Sequence, residues 1–387
     1  MRVIVIGGGV AGSAAAVALA RIGAEVTVYE AYADPAGPVG SFLSIAANGL
    51  KALDALGTEC TRGVAEAGFP VWNQRMWSAR GKLLGQVARN RRPEDPRPSL
   101  TLRREDLVGI LRAAATREGA QIVTGRRMSE PGDLDGPAEL VIGADGMWSF
   151  TRTLLNPAAK PPRYAGVFSV SGTAATLDTA AETGVFNMIF SRGGAFVHMT
   201  APDGTIWWNA QVADSYEPSH ERLDRTSPAL LADLFRDCAR VESILERARV
   251  DSRTLTHVLP ETPLRHDRHH VLIGDAVHPV GAGQGASMAL EDAVVLARHL
   301  AAARDDRLGR GRSGASGIPD ALAAFDAARQ KRLRKMTVAA RRNRDAKTMG
   351  PLKAHVRDLV MPIVFPRAYP AATNWLYDFD TGSLPRS

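Results

Sequence analysis

A chain of 387 residues is too long for one small core, so two interlocked domains are the natural expectation. Its 45% hydrophobic and 23% charged residues are ordinary for a globular protein, and with only Cys60 and Cys238 and no CxxC, a disulfide scaffold, a structural zinc site and an iron–sulfur cluster are disfavoured. The net charge of +7 comes from arginines scattered along the chain, which suits a surface that attracts anionic small molecules better than a nucleic-acid interface. The opening MRVIVIGGG has no signal-peptide pattern and no apolar run is long enough to span a bilayer, so a soluble cytoplasmic protein is expected, monomer or homodimer, with no nucleic-acid or membrane partner.

In chain order, RVIVI (2–6) reads as a short buried strand, followed by a glycine turn, an alanine-rich helix from about Val10 to Ile22, and a second strand, Glu25–Tyr29. Asn48 is the expected N-cap of a helix that stops at Gly57. Residues 69–88 suggest a hairpin turning at Ala79–Gly81, RRPEDPRPS (91–99) a crossing loop, and Arg104 to Glu118 a helix. LVIGADG (140–146) is a strand entering a glycine turn. From Arg163 to Val212 alternating segments separated by Gly or Asp-Gly predict an antiparallel sheet. A helical interlude (Ser227–Arg249) and a strand near Thr254–Leu259 follow. VLIGDA (271–276) then returns to the first texture and leads to a helix, Ala286–Ala303. Residues 304–318 read as a low-complexity loop, and Pro319 restarts a long charged helix to about Ala346.

Gly7, Gly9 and Gly12 form GxGxxG between the first strand and its helix, with Glu30 at the end of the second strand. Glycines let the backbone approach a pyrophosphate, and the helix N-terminus at Val10 and Ala11 offers N–H groups and partial positive charge. The Glu30 carboxylate is placed to accept from ribose hydroxyls and would repel a phosphate there, so the resident nucleotide is expected to be FAD or NAD, not NADP.

Two further segments turn this into a flavin site: GADG (143–146) and IGDAVHPVGAGQGASMALEDA (273–293). With them the chain resembles, over nearly its whole length, the group A flavoprotein monooxygenases, the family of para-hydroxybenzoate and salicylate hydroxylases. The resemblance implies that Asp145 belongs to a DG motif and that Gly274 and Asp275 form a GD motif whose aspartate bonds FAD. It also implies that Gly283, Gln284, Gly285 and Ala286 set backbone N–H groups at the flavin pyrimidine edge. A glycine-rich loop opening a helix independently suits a reduced flavin's negative charge. LSIAANGLKAL (43–53) resembles the family strand that lines the flavin ring, with Ser41–Ile45 as that strand, and Arg104 in RxxL resembles its FAD-contacting arginine. The run from Asp275 through Gly285 is shorter than usual and has Val280 where the family has proline, with Pro279 as a possible substitute. The halogenase motif is absent, since Trp207–Trp208 lacks its spacing, and there is no second GxGxxG, so NADH or NADPH is expected as a transient visitor.

The implied fold is α/β: a Rossmann-like FAD-binding domain (1–66, 99–160, 260–303) interleaved with an antiparallel β-sheet substrate domain (67–98, 161–259) and a C-terminal helical segment (319–387). The antiparallel sheet is expected to supply Phe186, Met188, Trp208, Asn209 and Gln211 to the pocket, with either face open, and His198 as a candidate acid/base because its pKa lies near the working pH. His266, His269 and His270 lack the spacing of a metal site, and no metal is expected. The implied activity is an FAD-dependent monooxygenase using NAD(P)H and O2 to hydroxylate an aromatic or polyketide-like small molecule through a flavin C4a-hydroperoxide. The rivals are a reductase or dehydrogenase of the same fold, and a flavoprotein that sequesters a hydrophobic ligand without turnover.

Overall fold

The computed structural model describes residues 1–33, 42–133, 138–176, 182–259, 264–279, 283–307, 317–345 and 351–385. Ser41, Val280, Gly281 and most of the low-complexity stretch, 308–316, lie outside them. The chain opens with β1 (Arg2–Ile6), α1 (Val10–Arg21) and β2 (Glu25–Tyr29), as the sequence predicts. α1 is small and apolar on every side, which suits a helix enclosed by other elements, and all its residues from Val10 to Leu19 are buried. β3 (Phe42–Ile45), α2 (Ala47–Leu56), α3 (Thr58–Ala67), β4 (Phe69–Val71), β5 (Asn73–Ser78), β6 (Leu83–Ala88) and β7 (Ser99–Arg103) follow. Asn48 is not the N-cap expected: α2 starts one residue earlier, and the Asn48 side chain instead donates to Glu291 Oε1 at 2.6 Å. Next come α4 (Arg104–Arg117), β8 (Gln121–Val123), β9 (Leu140–Gly143), α5 (Phe150–Leu155), and the long strands β10 (Arg163–Ala174), β11 (Val185–Ser191), β12 (Gly194–Thr200) and β13 (Ile206–Ala213).

The expected single interlude is three short helices, α6 (His220–Asp224), α7 (Pro228–Leu234) and α8 (Ala239–Leu245), because Ser219 and Ser227 each cap a new start. β14 (Ala248–Val258) is longer than predicted, and β15 (His270–Leu272), α9 (Gly285–Arg307), α10 (Ile318–Asp345) and α11 (Pro351–Tyr377) complete the order.

Five parallel strands form one sheet in the order β15-β9-β1-β2-β8. The chain goes one way from β1 through β2 and the other way through β9, so β1 is the switch point, where a parallel sheet opens a crevice for ligands at its carboxyl end. A second sheet runs β14-β10-β13-β12-β11-β5-β6. It is mixed, not purely antiparallel, because β5 joins β11 in parallel and brings the hairpin of residues 73–88 to its edge. A small sheet, β3-β7-β4, lies between the two in the chain. The main core gathers β1, α1, α2, α4 and α9, while the second sheet has a separate core on each face. Among the described residues no helix is long and apolar enough to cross a membrane.

Candidate active site

The crevice at β1 begins with a turn that only glycine can make. Gly7 has φ +99°, and a Cβ there would lie 2.4 Å from the Ala144 carbonyl oxygen; a Cβ on Gly12 would lie 1.8 Å from that of Gly7. The helix is therefore pressed against the turn. No side chain caps α1 at Gly9, which leaves the first-turn N–H groups at Val10 and Ala11 for an anion. Glu30 follows β2 and is buried, accepting from Gly8 N–H (2.8 Å), Tyr32 N–H (3.0 Å) and Arg112 Nη2 (3.2 Å). Arg112 Nε also donates to the Gly8 carbonyl at 2.8 Å, so this arginine of α4 fixes both the turn and the acid. The sequence shows Arg112 only as one more helical arginine. Arg104 starts α4, and its Nη2 would lie 3.6 Å from a Cβ on Gly9, beside the pyrophosphate turn.

The DG and GD segments meet at the same crevice. Both carboxylate oxygens of Asp145 are engaged within its own turn, accepting from Ser149 Oγ (2.6 Å), Thr151 N–H (2.9 Å) and Thr151 Oγ1 (3.0 Å). What Asp145 brings is thus the shape of the turn into α5. Arg152 ties that turn to the GD segment, donating to the carbonyls of Met147 (2.7 Å) and Ala276 (2.9 Å). Asp275 is accessible, yet surrounding protein pushes its carboxyl pKa up, against the pull of His278 and Arg104. The Gly274 N–H donates to Asp292 (3.0 Å), which also accepts from His278 and from Arg329 Nε (2.7 Å). Gly283 and Gln284 form the turn into α9, which begins at Gly285 and Ala286. The glycine cradle, uncapped helix end, accessible Asp275 carboxyl and adjacent arginine fit a bound FAD.

The second sheet resolves which face is open. On β13 Ile206, Trp208, Ala210 and Val212 are buried under α6–α8, whereas Trp207, Asn209 and Gln211 keep partial access on the opposite face. The register places Asn187, His198 and Trp208 together on the helix-covered face. Phe186, Met188 and Asn209 lie on the other. His198 and Trp208 are therefore corrected out of the pocket. Trp208 stacks on Phe196 with centroids 5.9 Å apart, and burial with the nearby Arg240 charge pushes the His198 imidazole down to about 3. A period-2 strand sends neighbours to opposite faces, and without the register nothing in the sequence decides between them.

The open face looks toward β3 and β4: Trp207 meets the rings of Phe42 at 5.7 Å and Phe69 at 5.1 Å. α11 covers its outer part through Phe365 and Tyr369. Asn209 Oδ1 and Gln211 Oε1 are buried on this face without hydrogen-bond partners. At its β6 end the face carries Arg89, which the sequence did not single out. Its guanidinium lies 3.6 Å from the Phe186 ring centroid, and Nη1 donates to Gln74 Oε1. Tyr369 and Tyr377 of α11 are close enough to interact with its charge. Among the described residues no His, Cys, Asp and Glu cluster is arranged to hold a metal ion.

Known proteins share this fold. The family described as FAD binding domain matches residues 1–311. Aurachin C monooxygenase/isomerase of Stigmatella aurantiaca is 26% identical over 351 residues, 86% of each chain. Kynurenine 3-monooxygenase of Salinispora arenicola is 29% identical over 368 residues, 85% of this chain and 76% of the relative. The structure of Klebsiella pneumoniae HpxO with FAD and uric acid aligns with TM-score 0.76 at 23% identity, covering 94% of this chain and 92% of that one. A salicylate hydroxylase substrate complex aligns with TM-score 0.78 at 20% identity, covering 99% and 96%. At these identities the two structures speak to the fold. Because the family match runs from residue 1 to 311 of 387, the chain belongs to the FAD binding domain family, and within it to the FAD-dependent aromatic hydroxylases.

Proposed function

We propose that this chain hydroxylates a small planar aromatic molecule bound between its FAD and the open face of the second sheet. NADH or NADPH is the transient reductant and O2 the oxygen source. The observation that carries this reading is the strict alternation of β13, which leaves Trp207, Asn209 and Gln211 facing the flavin-side elements while their neighbours pack under helices. Bound FAD supplies the redox and oxygen chemistry. The chain's own residues do the rest. The Gly7–Gly12 turn and Arg104 would hold the pyrophosphate, Glu30 the ribose, and Asp275 the hydroxyls of the linking chain. The N-terminus of α9 would offer backbone N–H groups and partial positive charge to the flavin ring, favouring its reduced, negatively charged form. Phe186, Met188 and Trp207 exclude water from the reacting face. We place the protein in the cytoplasm, and divide it into nucleotide and substrate domains at the boundaries expected from sequence.

A screen of aromatic compounds for stimulated NAD(P)H oxidation, with mass spectrometry for one added oxygen atom, tests this. A stimulating compound that gains one oxygen atom is the expected result. NAD(P)H consumption without any oxygenated product would favour a dehydrogenase, and ligand binding without stimulated oxidation a sequestering role.

A further inference from the structure

Buried arginines in this protein are mostly saturated. Arg329 reaches Glu291 and Asp292, Arg332 reaches Glu291 through two nitrogens, and Arg152 donates to two carbonyls. Arg89 is different. Among the described residues it has no carboxylate partner; its one side-chain bond goes to the neutral amide of Gln74, and its Nε is buried without a hydrogen bond. Even partial enclosure of a cation without a counter-ion is costly, and desolvation pulls the guanidinium's pKa down. The group stays positive nonetheless, because arginine is not deprotonated in proteins.

Its position is specific. A methyl group added to Gly283 would lie 3.9 Å from Arg89 Nη2, so the guanidinium sits between the turn before α9 and the ring of Phe186. Phe186 is on the open sheet face, two strands from Trp207 and a further two residues along the strand from Asn209, roughly 12 Å from the latter at the usual strand spacing and rise. Met188, Val197, Met199 and Trp207 lie along this span on the same face. A flat ring system would thus have a planar cation at one end, apolar side chains beneath it, and the unpartnered amide oxygens of Asn209 and Gln211 at the other end.

We propose that Arg89 is the anion-recognising residue of the substrate pocket, and that the molecule hydroxylated carries an ionised oxygen group, a carboxylate or an acidic ring hydroxyl. The planar fork of a guanidinium matches a two-oxygen anion, and stacking on Phe186 holds the fork in place before the ligand arrives. This rests on the hydroxylase reading, since it assigns the pocket's ligand to that reaction. The anion has a second conceivable source in the pyrimidine edge of FAD itself, near Gly283, and the test separates the two.

The FAD-loaded protein is titrated with salicylate and salicylamide, anthranilate and anthranilamide, and naphthoate and naphthamide, reading the flavin absorbance difference spectrum. In the wild type the acid of at least one pair should bind roughly tenfold or more tighter than its amide. Arg89→Met should abolish that preference while retaining FAD and the melting temperature; Arg89→Lys, which keeps the charge but not the fork, should keep part of it. Three results overturn the proposal: no acid preference in any wild-type pair, an undiminished preference in Arg89→Met, or loss of FAD from both variants, which would assign the guanidinium to the cofactor. If the Arg89-dependent preference holds but no bound acid is ever oxygenated, the hydroxylase reading fails and the anion site stands.

Discussion

Asp292 collects three donors, the Gly274 N–H, His278 Nε2 and Arg329 Nε, and so binds the GD turn to α10. Burial raises its carboxyl, but the charges of His278 and Arg329 and these bonds outweigh that and hold it at about 2. Burial lowers the His278 imidazole, and the Asp292 charge overcomes this and raises it. The signs differ. A carboxyl held below its unfolded value of about 3.9 stabilises fully above that pH and loses its contribution as pH falls toward its folded value. An imidazole raised above about 6.5 stabilises fully below that pH and loses its contribution as pH rises through its folded value. The pair therefore stabilises most between roughly pH 4 and 6.5. Asp292→Asn is expected to flatten both limbs of the melting-temperature profile measured with excess FAD, and to cost about 3 kcal/mol near pH 6 by leaving buried charge less well paired. A variant profile that overlays the wild type would refute this. At this scale Gly7, Gly12 and Glu30 were legible in the sequence, because a glycine turn and an acid at a fixed distance have few other uses. Arg89 and Arg112 were not, since an arginine's partners come from elements remote in the chain.

Among the elements, α11 shows what local rules miss. It runs through Pro362, Pro366 and Pro370, each lacking an N–H and each expected to break a helix. Their spacing of four puts them on one side, so the carbonyls they leave unbonded also lie on one side. One of these, the Asp358 carbonyl, accepts from Lys82 Nζ at 3.2 Å, and the packing of Phe365 against the open sheet face supplies the remaining support. Tertiary contact decides the outcome, and the sequence does not display it. β11, β12 and β13 are the opposite case: their alternation announces strands, but which side is covered depends on α6–α8. That is why His198 reads as a catalytic candidate in sequence and as a core residue in the structure, 8% exposed on the helix-covered face. His198→Gln is accordingly expected to lower the melting temperature through lost packing while the pH dependence of kcat/KM stays as in the wild type. Disappearance of one limb of that profile in the variant would restore the residue as an acid/base.

For the molecule as a whole, one cleft is assembled from three distant stretches: the turn at Gly7–Gly12, the DG and GD turns joined by Arg152, and the start of α9. The order of these stretches was visible because each carries glycines that the backbone path demands. The join between the cleft and the C-terminal helices was not. It is made by Asn48, Glu291, Arg329 and Arg332, whose side chains meet only after folding, with Arg332 also donating to the carbonyls of Trp375 and Leu376. Through this network α10 and the end of α11 brace the floor of the flavin cleft, and α11 in turn covers the sheet face where the aromatic ring is proposed to lie. The account stands or falls on whether that enclosed space delivers oxygen from O2 to carbon. The decisive measurement uses the acid that most stimulates NAD(P)H oxidation and supplies isotopically heavy dioxygen in ordinary water. The product should carry one heavy oxygen atom. A product whose new oxygen comes from water, or NAD(P)H oxidation that yields only peroxide with every stimulating compound, would contradict it.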